Sequence, residues 1–581
     1  MSSRGGIPDR TTICAVISPI GGGNDDTSNI QDAIEGCPED KVVQLTEGVF
    51  TIADGGSVLI DRAITVRGAG AGITILQRTD GAQMEPGQAI GLSPSPIVIL
   101  GWKPYFATPD NSVNLTADAV KGDYSITVSD VSQFAVGQVV LLDETSGAGW
   151  QPDASGAATS VWASPDYRVT WKKHDPAIPG DDFDSDTYPY QSGTNGDQYS
   201  RLDRVTSEIK EITSIDGNTI TFSSPLTISY RTSHAAQLSP FAVSGNVVAH
   251  IYNAGLENLS TQNGDDGGIQ FLVCAYCWAK GIENSIYTGG GIRFILSFRN
   301  ELRDFYNHDA AYSRPGGGAY AISIDWGSSE ILVENGISVR ADKVMVARAA
   351  GAGSVIGYNY ADMGFIDYAE TWIEIGLNGS HFVGSHHILF EGNYAFNADS
   401  DDTHGASIYM TYFRNYLPGI RSPFVNPLDG VTVDDSQGNS GPLRTAGNQA
   451  YSYWFSFIGN VLGASGKMSG WTYEGDLTNG ADIWAPGWGD TNAQGVWLQD
   501  KQMTNSTFPG HMVRDGNFDW LTASQIWHET PGGFTIPNSL YLASKPAFFG
   551  SNPWPWVDPS SGATYTLPAK ARYDAGTPNN P

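Results

Sequence analysis

A recurring asparagine limits what this chain can fold into more than any other feature of its sequence. It follows an apolar, strand-like stretch at intervals of about 22–26 residues, with some longer intervals, which is typical of a solenoid. Short apolar runs that end in a turn-forming residue favour strands over helices. Because Asn tolerates left-handed backbone, we predict that its side chains stack at one turn of successive coils as a hydrogen-bonded ladder. The blocks end at Asn258, Asn284, Asn300, Asn335, Asn359, Asn393, Asn415 and Asn460.

The composition narrows the classes of partner. The chain has 581 residues, and a solenoid of this length can grow without dividing into separate cores. It carries 32 Lys and Arg against 62 Asp and Glu, a net charge of −30, which argues against nucleic acid and anionic membranes. No apolar run reaches the length of a membrane span. We therefore expect a monomer that binds a neutral or weakly charged polymer.

Four cysteines bear on compartment and metal binding. Cys14 and Cys37 flank one segment and could form a disulfide, which would imply an oxidising compartment. Cys274 and Cys277 form a Cys-x-x-Cys element in an apolar stretch, and without a second pair we favour buried thiols over zinc. No apolar signal segment follows Met1, so we expect a secreted protein whose leader has been removed.

The N-terminal block carries a recognisable order of motifs. Residues 22–34 read Gly-Gly-Asn-Asp-Asp-Thr-Ser-Asn-Ile-Gln-Asp-Ala-Ile, which predicts a turn, an N-cap at Asp26 or Thr27 and a short amphipathic helix. Strand-like pieces follow at 48–52 (Gly-Val-Phe-Thr-Ile) and 64–70 (Ile-Thr-Val-Arg-Gly-Ala-Gly). This order resembles the start of the pectate-lyase-like superfamily of right-handed parallel β-helix proteins.

The resemblance implies an all-β fold, a single-stranded right-handed parallel β-helix with an N-terminal capping helix. It also implies a carbohydrate-active protein, because enzymes that cut polysaccharides dominate the superfamily and tailspikes and adhesins are a minority. Fold alone identifies no substrate. We divide the chain into N-terminal cap and first coils, an inserted β-subdomain, central coils with the active site, and C-terminal coils and cap, with bounds 1–112, 113–235, 236–465 and 466–581.

Two segments depart from the coil pattern. In the insertion we predict antiparallel strands with a hairpin at Asp216-Gly217-Asn218, and a long connector at 145–205 that walls a groove. The acidic run 181–186 suits a solvated loop better than a calcium site, because it lacks the EF-hand spacing. The Trp- and Pro-rich segment after residue 465 is expected to cover the open end of the solenoid.

The densest cluster of ionisable residues lies between Asp362 and His404. Cleaving a glycosidic bond needs a proton donor and a second carboxylate, and two carboxylates on one face repel, so one can keep its proton. The catalytic candidates are Glu370, Glu374, Asp399, Asp401, Asp402 and His404. The candidates for substrate binding are Trp372, His381, His386, Tyr412, Arg414 and Arg421. No metal ligands are assigned.

Alternatives remain open for these residues. Asp401-Asp402 and Thr403-His404-Gly405 resemble the Asp-Asp pair and Gly-His-Gly element of polygalacturonases in content but not in spacing, so no roles are transferred. The same block also fits a polar turn or a cation site. Glu391 belongs to a repeating Glu-Asn turn, which favours a structural role.

The sequence leaves three functions. The first is an endo-acting glycoside hydrolase, which needs no cofactor. The second is a polysaccharide lyase that acts on a uronic-acid polymer with Ca²⁺ and an Arg base, Arg414 or Arg421. The third is a glycan-binding adhesin or tailspike-like protein without catalysis. The 34-residue interval from Asn359 to Asn393 leaves room for an active-site loop, and Asp401→Asn or Asp402→Asn is expected to abolish cleavage with little change in stability.

Overall fold

The structure is a computed structural model. Most of the chain between residues 6 and 580 is described. The exceptions are residues 80, 82–95, 103–107, 110, 146–203, 205, 244–245, 266, 315–317, 368–372, 382–383, 402–406, 436–442, 450–451, 476–479, 492–496, 500–503 and 505–510.

Each regular coil contains three short strands. One coil runs through Leu332–Glu334, Ile337–Val339 and Met345–Arg348. The next coil begins at Val355–Gly357, which pairs in parallel with Leu332–Glu334, residue for residue. Stacked parallel coils of this kind confirm the predicted all-β, right-handed parallel β-helix.

In the regular coils two strands belong to one 21-stranded sheet that bends around the solenoid, and in some coils one longer strand takes both places. Its strands are Ile13–Ile17, Val42–Leu45, Gly48–Ile52, Thr65–Arg67, Thr74–Arg78, Gly255–Gly264, Trp278–Tyr287, Glu301–Arg303, Tyr306–His308, Leu332–Glu334, Ile337–Val339, Val355–Gly357, Tyr360–Asp362, Leu389–Glu391, Tyr394–Ala395, Thr411–Phe413, Tyr416–Leu417, Ser456–Ile458, Val461–Leu462, Val513–Asp519 and Ser524–Trp527.

The third strand of each coil belongs to a 12-stranded sheet. Its strands are Val58–Ile60, Val98–Gly101, Ile269–Leu272, Gly290–Ile295, Tyr320–Asp325, Met345–Arg348, Leu377–Asn378, Ala398–Asp399, Leu443–Gln449, Thr472–Glu474, Ala481–Thr491 and Trp497–Gln499. Alternate residues such as Phe271, Phe294, Ile324 and Ala347 lie in the main buried core, so the residues between them face outward. Full burial of one such large side chain stabilises the fold by about 1.5–3 kcal/mol.

The predicted asparagine ladder is present over part of its expected length. The side-chain oxygen of Asn393 accepts hydrogen bonds from the backbone N–H and side-chain amide of Asn359, at 3.0 and 3.1 Å. The same pattern links the following coils through Asn415, Asn460 and Asn517, and all five side chains are buried. Each amide therefore satisfies a turn that would otherwise leave buried polar groups unpaired.

Asn258 and Asn335 were wrongly grouped with this ladder. They occupy the turn position one residue earlier, where the backbone is left-handed at φ 55° and 56°. Other residues fill that position in neighbouring coils, including Gly392 and Gly459. Asn284 forms a different buried pair with Asn307, at 2.7 Å. The repeated asparagines therefore occupy several different structural positions, because Asn suits both left-handed backbone and buried amide ladders.

A helix closes the N-terminal end of the core. It spans Thr27–Gly36 and buries Ile30 and Ile34. Asp26 is the N-cap residue, but its carboxylate accepts hydrogen bonds from the backbone of Ile20 and Thr51, at 2.8 Å each. The side chain therefore ties the helix to the first coil instead of capping it.

The cysteines divide as the sequence suggests. Cys14 and Cys37 form a disulfide, with Cα atoms 5.6 Å apart. Cys274 and Cys277 are free and buried in the core, as predicted.

The insertion forms an eight-stranded sheet with antiparallel pairings. Its sheet extends beyond the predicted bounds of 113–235 at both ends, while the connector at 146–203 and the acidic run 181–186 lie outside the described residues. Leu141 and Ile209 pack on Leu272 and Ile295 of the solenoid in one buried cluster. The strands are Thr108–Pro109, Val113–Asn114, Ser125–Thr127, Val139–Glu144, Thr206–Asp216, Thr219–Phe222, Gln237–Val243 and Asn246–Val247.

The C-terminal segment differs from the expected end cap. The coils continue past residue 465, because Val513–Asp519 pairs in parallel with Ser456–Ile458 and Val461–Leu462. The chain from about residue 530 then returns along the flank of the solenoid. The Arg414 side chain donates to the carbonyl of Ile536, at 3.0 Å, and Arg572 donates to the carbonyl of Asn335, at 2.6 Å.

This C-terminal strap, residues 530–580, covers one flank of the solenoid and donates hydrogen bonds to carboxylates of the turns there. Tyr541 donates to Glu334 at 2.7 Å, and the backbone N–H of Leu540 donates to Glu391 at 2.8 Å. The remaining elements are a helix at Pro568–Asp574, 3-10 helices at Thr232–His234 and Ala547–Phe549, and strand pairs Ile251–Tyr252 with Cys274–Ala275, Phe424–Val425 with Thr432–Val433, and Val557–Asp558 with Ala563–Thr564.

Candidate functional site

Polar side chains collect on the outer face of the 12-stranded sheet in its middle coils. Asp325 pairs with Arg348, and Asn378 pairs with Asp399, in the parallel register. Their neighbours Ile324, Ala347, Leu377 and Ala398 lie in the core, so these polar residues lie on the opposite, outer face. The solenoid therefore holds side chains of several coils at the spacing of adjacent strands.

Asp401 is the most heavily bonded carboxylate of this face. Lys343 Nζ lies 2.9 Å from its Oδ2, and Asn378 donates to the same oxygen at 2.8 Å. His381 Nδ1 lies 3.0 Å from both carboxylate oxygens. Burial opposes ionisation, but His381 and Lys343 outweigh it and hold the pKa of Asp401 well below its usual range. Asp401 is thus a stable anion and a weak base.

His381 connects this carboxylate to a tyrosine. The Tyr320 hydroxyl lies 2.8 Å from His381 Nε2, on the side of the ring opposite Asp401. Burial lowers the pKa of His381 and raises that of Tyr320, so both are neutral near pH 7. The contacts fit an imidazole that carries its proton on Nδ1 and accepts a hydrogen bond from the tyrosine hydroxyl at Nε2. The resulting chain, Tyr320–His381–Asp401, can pass a proton.

Asp342 is the unusual carboxyl of the cluster. It is fully buried, and among the described residues no donor contacts either of its side-chain oxygens. Burial raises its pKa well above the usual range, and the negative charge of Glu374 adds to this effect. A buried carboxyl without hydrogen bonds costs stability, so such a group is a candidate for function.

Glu374 completes the group of acids. Its Oε2 lies 3.6 Å from Lys343 Nζ, and its side chain is 14% exposed, against 6% for Asp401. Lys343 therefore lies between two carboxylates, and Asp401 and Glu374 together raise its pKa despite its burial. The arrangement combines a neutral acid, Asp342, with carboxylates held beside a permanent cation.

A second ion cluster adjoins the first through Tyr320. Arg293 and Arg348 both contact Asp325 Oδ2, at 2.8 and 3.4 Å. The Arg348 guanidinium lies over the Tyr320 ring, 5.2 Å from its centroid. On the other side, Asp399 contacts Arg444 and accepts a hydrogen bond from the Trp488 indole at 2.9 Å. Acids and bases thus alternate along the face.

Four predicted site residues lie outside the described residues, namely Glu370, Trp372, Asp402 and His404. They stay predictions. Of the others, Glu374, His381, Asp399 and Asp401 lie on or beside the outer face described above. The lengthened coil between Asn359 and Asn393, 34 residues apart, supplies Glu374 and His381.

The remaining predicted residues lie elsewhere. Tyr412 is buried in the core and stacks on Phe390 and Phe457, 4.8 and 4.7 Å between ring centroids. Tyr412 therefore points inward with the core rows. The proposed site therefore does not include Tyr412.

Backbone carbonyls are the partners of Arg414, Arg421 and His386. Arg414 binds the strap, and Arg421 donates to the carbonyls of Gly364 and Asp434, at 2.9 and 2.8 Å. His386 Nε2 lies 2.9 Å from the Ser207 carbonyl, under the inserted sheet. These contacts hold the three side chains away from the cluster.

The sequence search missed Tyr320, Asp342, Lys343 and Asn378. The predicted cluster begins at Asp362. Asp342 and Lys343 lie in the preceding coil and Tyr320 in the coil before that, whereas Asn378 lies within the predicted cluster. The pair Asp342-Lys343 places two opposite charges directly before the apolar strand Met345–Arg348, which is a signal that the sequence contains. Residues separated by one coil become neighbours in a solenoid, so a window along the chain divides a site that the fold unites.

The described residues contain neither a group of metal ligands nor a helix that could span a membrane. Within the described ranges, no group of three or more His, Cys, Asp or Glu side chains has the arrangement of a metal site. Lys343 already occupies the space between Asp401 and Glu374, where a cation would otherwise bind. In the same part of the chain, no helix has the length and apolar character needed to cross a membrane.

Comparison with solved structures bears on the fold. The tailspike gp61 of Pseudomonas phage phi297 is 13% identical, with 75% of this chain and 57% of that chain aligned and a TM-score of 0.47. The Gp54 tailspike of Acinetobacter baumannii phage AP22, solved with a capsular saccharide, is 10% identical. The alignment covers 78% of this chain and 63% of the tailspike, with a TM-score of 0.45. A polygalacturonase from Erwinia carotovora is 10% identical. The alignment covers 83% of this chain and 94% of the polygalacturonase, with a TM-score of 0.29.

The fold is that of the right-handed parallel β-helix proteins. At these identities the likeness concerns the fold alone. The β-helix chain spans about three fifths of the length of each of the two tailspikes. No family model and no curated protein sequence matches it. Function must therefore be inferred from the outer-face cluster.

Proposed function

We propose that the β-helix is an endo-acting glycoside hydrolase whose catalytic centre is the cluster of Asp342, Glu374 and Asp401. The observation that carries the proposal is the Asp342 carboxyl, which has no hydrogen-bond partner among the described residues and whose pKa is raised by burial, beside carboxylates held by Lys343. Paired carboxyl groups in different protonation states are what glycosidic cleavage requires.

Asp342 is the proposed proton donor. Its raised pKa keeps it protonated at a pH where an exposed Asp has lost its proton, so it can protonate the leaving oxygen as the C–O bond breaks. It is fully buried here, and hydrogen bonds of catalytic groups often form only in the complex with substrate.

Glu374 is the proposed second carboxylate. It is the most exposed of the three acids, and its ion pair with Lys343 is long, at 3.6 Å. Its oxygens are proposed to act on water or on the sugar carbon. Asp401 carries four close contacts and a low pKa, so it is a positioning residue that fixes Lys343 and His381.

A lyase is the second candidate, and the Tyr320–His381–Asp401 chain favours it. β-Elimination needs a base that removes a proton next to a carboxylate and a cation that neutralises that carboxylate. Tyr320 and His381 form a hydrogen-bonded pair, and Lys343 and Arg348 lie close to Tyr320. Arg414 and Arg421, the earlier candidates for the base, bind elsewhere.

The experiment is incubation of the protein with a panel of neutral and uronic-acid polysaccharides. Reducing ends and the ultraviolet absorbance of a conjugated C=C bond are recorded together. Reducing ends without absorbance are expected for the hydrolase, and absorbance would establish the lyase instead. Binding without either product would mean a glycan-binding protein, and the proposal would be wrong.

We propose an extracellular location for this activity. The Cys14–Cys37 disulfide supports it, because such bonds persist in oxidising compartments. A large polysaccharide substrate would also be met outside the cell. Fractionation of the native source, with activity in the culture fluid or at the surface, is the test; activity confined to the cytoplasm would contradict it.

A further inference from the structure

We propose that Asp325 determines the charge of the sugar that the site accepts. By pairing with Arg293 and Arg348 it makes the position beside Tyr320 select a neutral sugar over a uronate. The inference rests on the proposed function, because it concerns a sugar bound at the same outer face.

Asp325 is built into the sheet as a shared partner of two arginines. It is fully buried, and its Oδ2 accepts from Arg293 Nε at 2.9 Å and lies 2.8 Å from Arg293 Nη2. Arg348 Nη1 lies 3.4 Å from the same oxygen. The Ser323 hydroxyl donates to Oδ1. One carboxylate thus meets two guanidinium groups.

Arg348 brings this pairing to the catalytic cluster. Its guanidinium lies over the ring of Tyr320, whose hydroxyl bonds to His381. The Arg348 side chain is 15% exposed, against 7% for Arg293 and 0% for Asp325. Arg348 is therefore the guanidinium of this pair that a sugar at Tyr320 would approach.

An arginine in this position would ordinarily bind a uronate. Guanidinium groups bind carboxylates through two parallel hydrogen bonds, and such contacts between ions are strong. Asp325 already supplies that carboxylate from within the protein. Asp401 likewise forms an ion pair with Lys343, at 2.9 Å, and Asp399 forms one with Arg444. A uronate would have to compete with these fixed partners, whereas a neutral sugar meets a compensated surface.

The test uses oligogalacturonate and its methyl ester. The two probes have the same sugars, but in the ester a methyl group caps each carboxyl and removes its charge. Their Kd values are measured by isothermal titration calorimetry at low and high salt for the wild type, Asp325→Asn, and the double variant Asp325→Asn with Arg293→Gln. Asp309→Asn is the matched control, because Asp309 pairs with Arg340 and His308 on the other sheet.

The wild type should bind the ester at least as tightly as the acid. Removing Asp325 should tighten binding of the acid by about tenfold or more, since a hydrogen bond to an ionised group is worth that much. The gain should disappear at high salt, should be absent for the ester and should be absent in Asp309→Asn.

Asp325→Asn removes the carboxylate that the two guanidinium groups share, which lowers stability. The double variant removes one acid and one base together and keeps the more exposed Arg348 without the Asp325 carboxylate. If circular dichroism shows that the single variant is unfolded, the double variant decides the test. A wild type that prefers the acid tenfold would overturn the inference, as would folded variants without a gain.

The two proposals fail separately. A gain in acid binding with no cleavage of any polysaccharide would support the role of Asp325 and overturn the hydrolase. Cleavage of a neutral glycan, without any gain in the folded Asp325 variants, would overturn the role of Asp325 alone.

Discussion

The outer face of the 12-stranded sheet changes character between its early and middle coils. In the early coils, Leu272 and Ile295 face outward and are buried under the inserted sheet by Leu141 and Ile209. In the middle coils, the corresponding outward positions include Asp325 and Arg348, and side chains of the cluster follow. The inward residues are apolar in both regions.

The contrast shows that inward-facing residues stabilise the coil, whereas outward-facing residues give each region its own properties. Inward rows of apolar residues hold every coil, so the outward rows are free to vary without altering the fold. Where they are apolar, another sheet packs on them. Where they are charged, they pair with one another and leave Asp342 without a hydrogen bond to any described residue.

The largest expected effect is on the charged region. Asp342→Asn should lower kcat about a thousandfold, or about 4 kcal/mol in barrier, because the proposed proton donor is lost. The fold should remain, since Asp342 makes no side-chain hydrogen bond among the described residues. Release of reducing ends measures the effect. Asp362→Asn is the control, a buried acid of the other sheet that bonds Ser422; equal losses in both variants would contradict the assignment.

Next comes the stability of the charged region. Asp401→Asn should lower the free energy of unfolding by about 3 kcal/mol, because Lys343 would be buried without its carboxylate. This corrects the expectation that the substitution leaves stability nearly unchanged. Urea unfolding measures it, and adding Lys343→Met should restore most of the loss. A single variant as stable as the wild type would show that the pair is not buried.

In the apolar region, Leu272→Ala should cost about 2 kcal/mol, because it opens a cavity between the solenoid and the inserted sheet. Ile295→Val at the same interface should cost less, about 1 kcal/mol. Thermal unfolding of both variants measures the costs, and activity should be unaffected at a temperature where both are folded. No loss from Leu272→Ala would mean that the inserted sheet does not stabilise the early coils.

The last expected effect is a pH dependence. The raised pKa of Asp342 means that the folded state holds its proton more tightly, so stability should fall as pH rises from about 4 through the folded pKa. Each unit of elevation corresponds to about 1.4 kcal/mol. Asp342→Asn should lack this decline, so its stability relative to the wild type should rise with pH in urea titrations. A constant difference would show that the pKa is not raised.

The sequence predicted the coil architecture well because its signals are local. Short apolar strands, turn-forming Asn and the capping motif at residues 22–34 each act within a few residues. The ladder from Asn359 to Asn517 follows from the same signal, although Asn258 and Asn335 turned out to occupy a neighbouring turn position. The strap was missed, because nothing local in residues 530–580 shows which distant carboxylates it meets.

The site was predicted only in part for the same reason. Asp401, Glu374 and His381 were identified from their density along the chain, whereas Asp342 and Tyr320 lie in earlier coils and join them through parallel stacking. Their protonation states depend on burial and on which charges become neighbours, and these are properties of the folded molecule.

The sequence by itself determined that this chain winds into a parallel β-helix with a capping helix, since strand periodicity and turn chemistry are local preferences repeated coil after coil. The tertiary structure alone decided which outward side chains meet. Stacking of successive coils brings Lys343 to Asp401, which lies two coils further on and 58 residues away in sequence, and leaves Asp342 buried without a hydrogen-bond partner among the described residues.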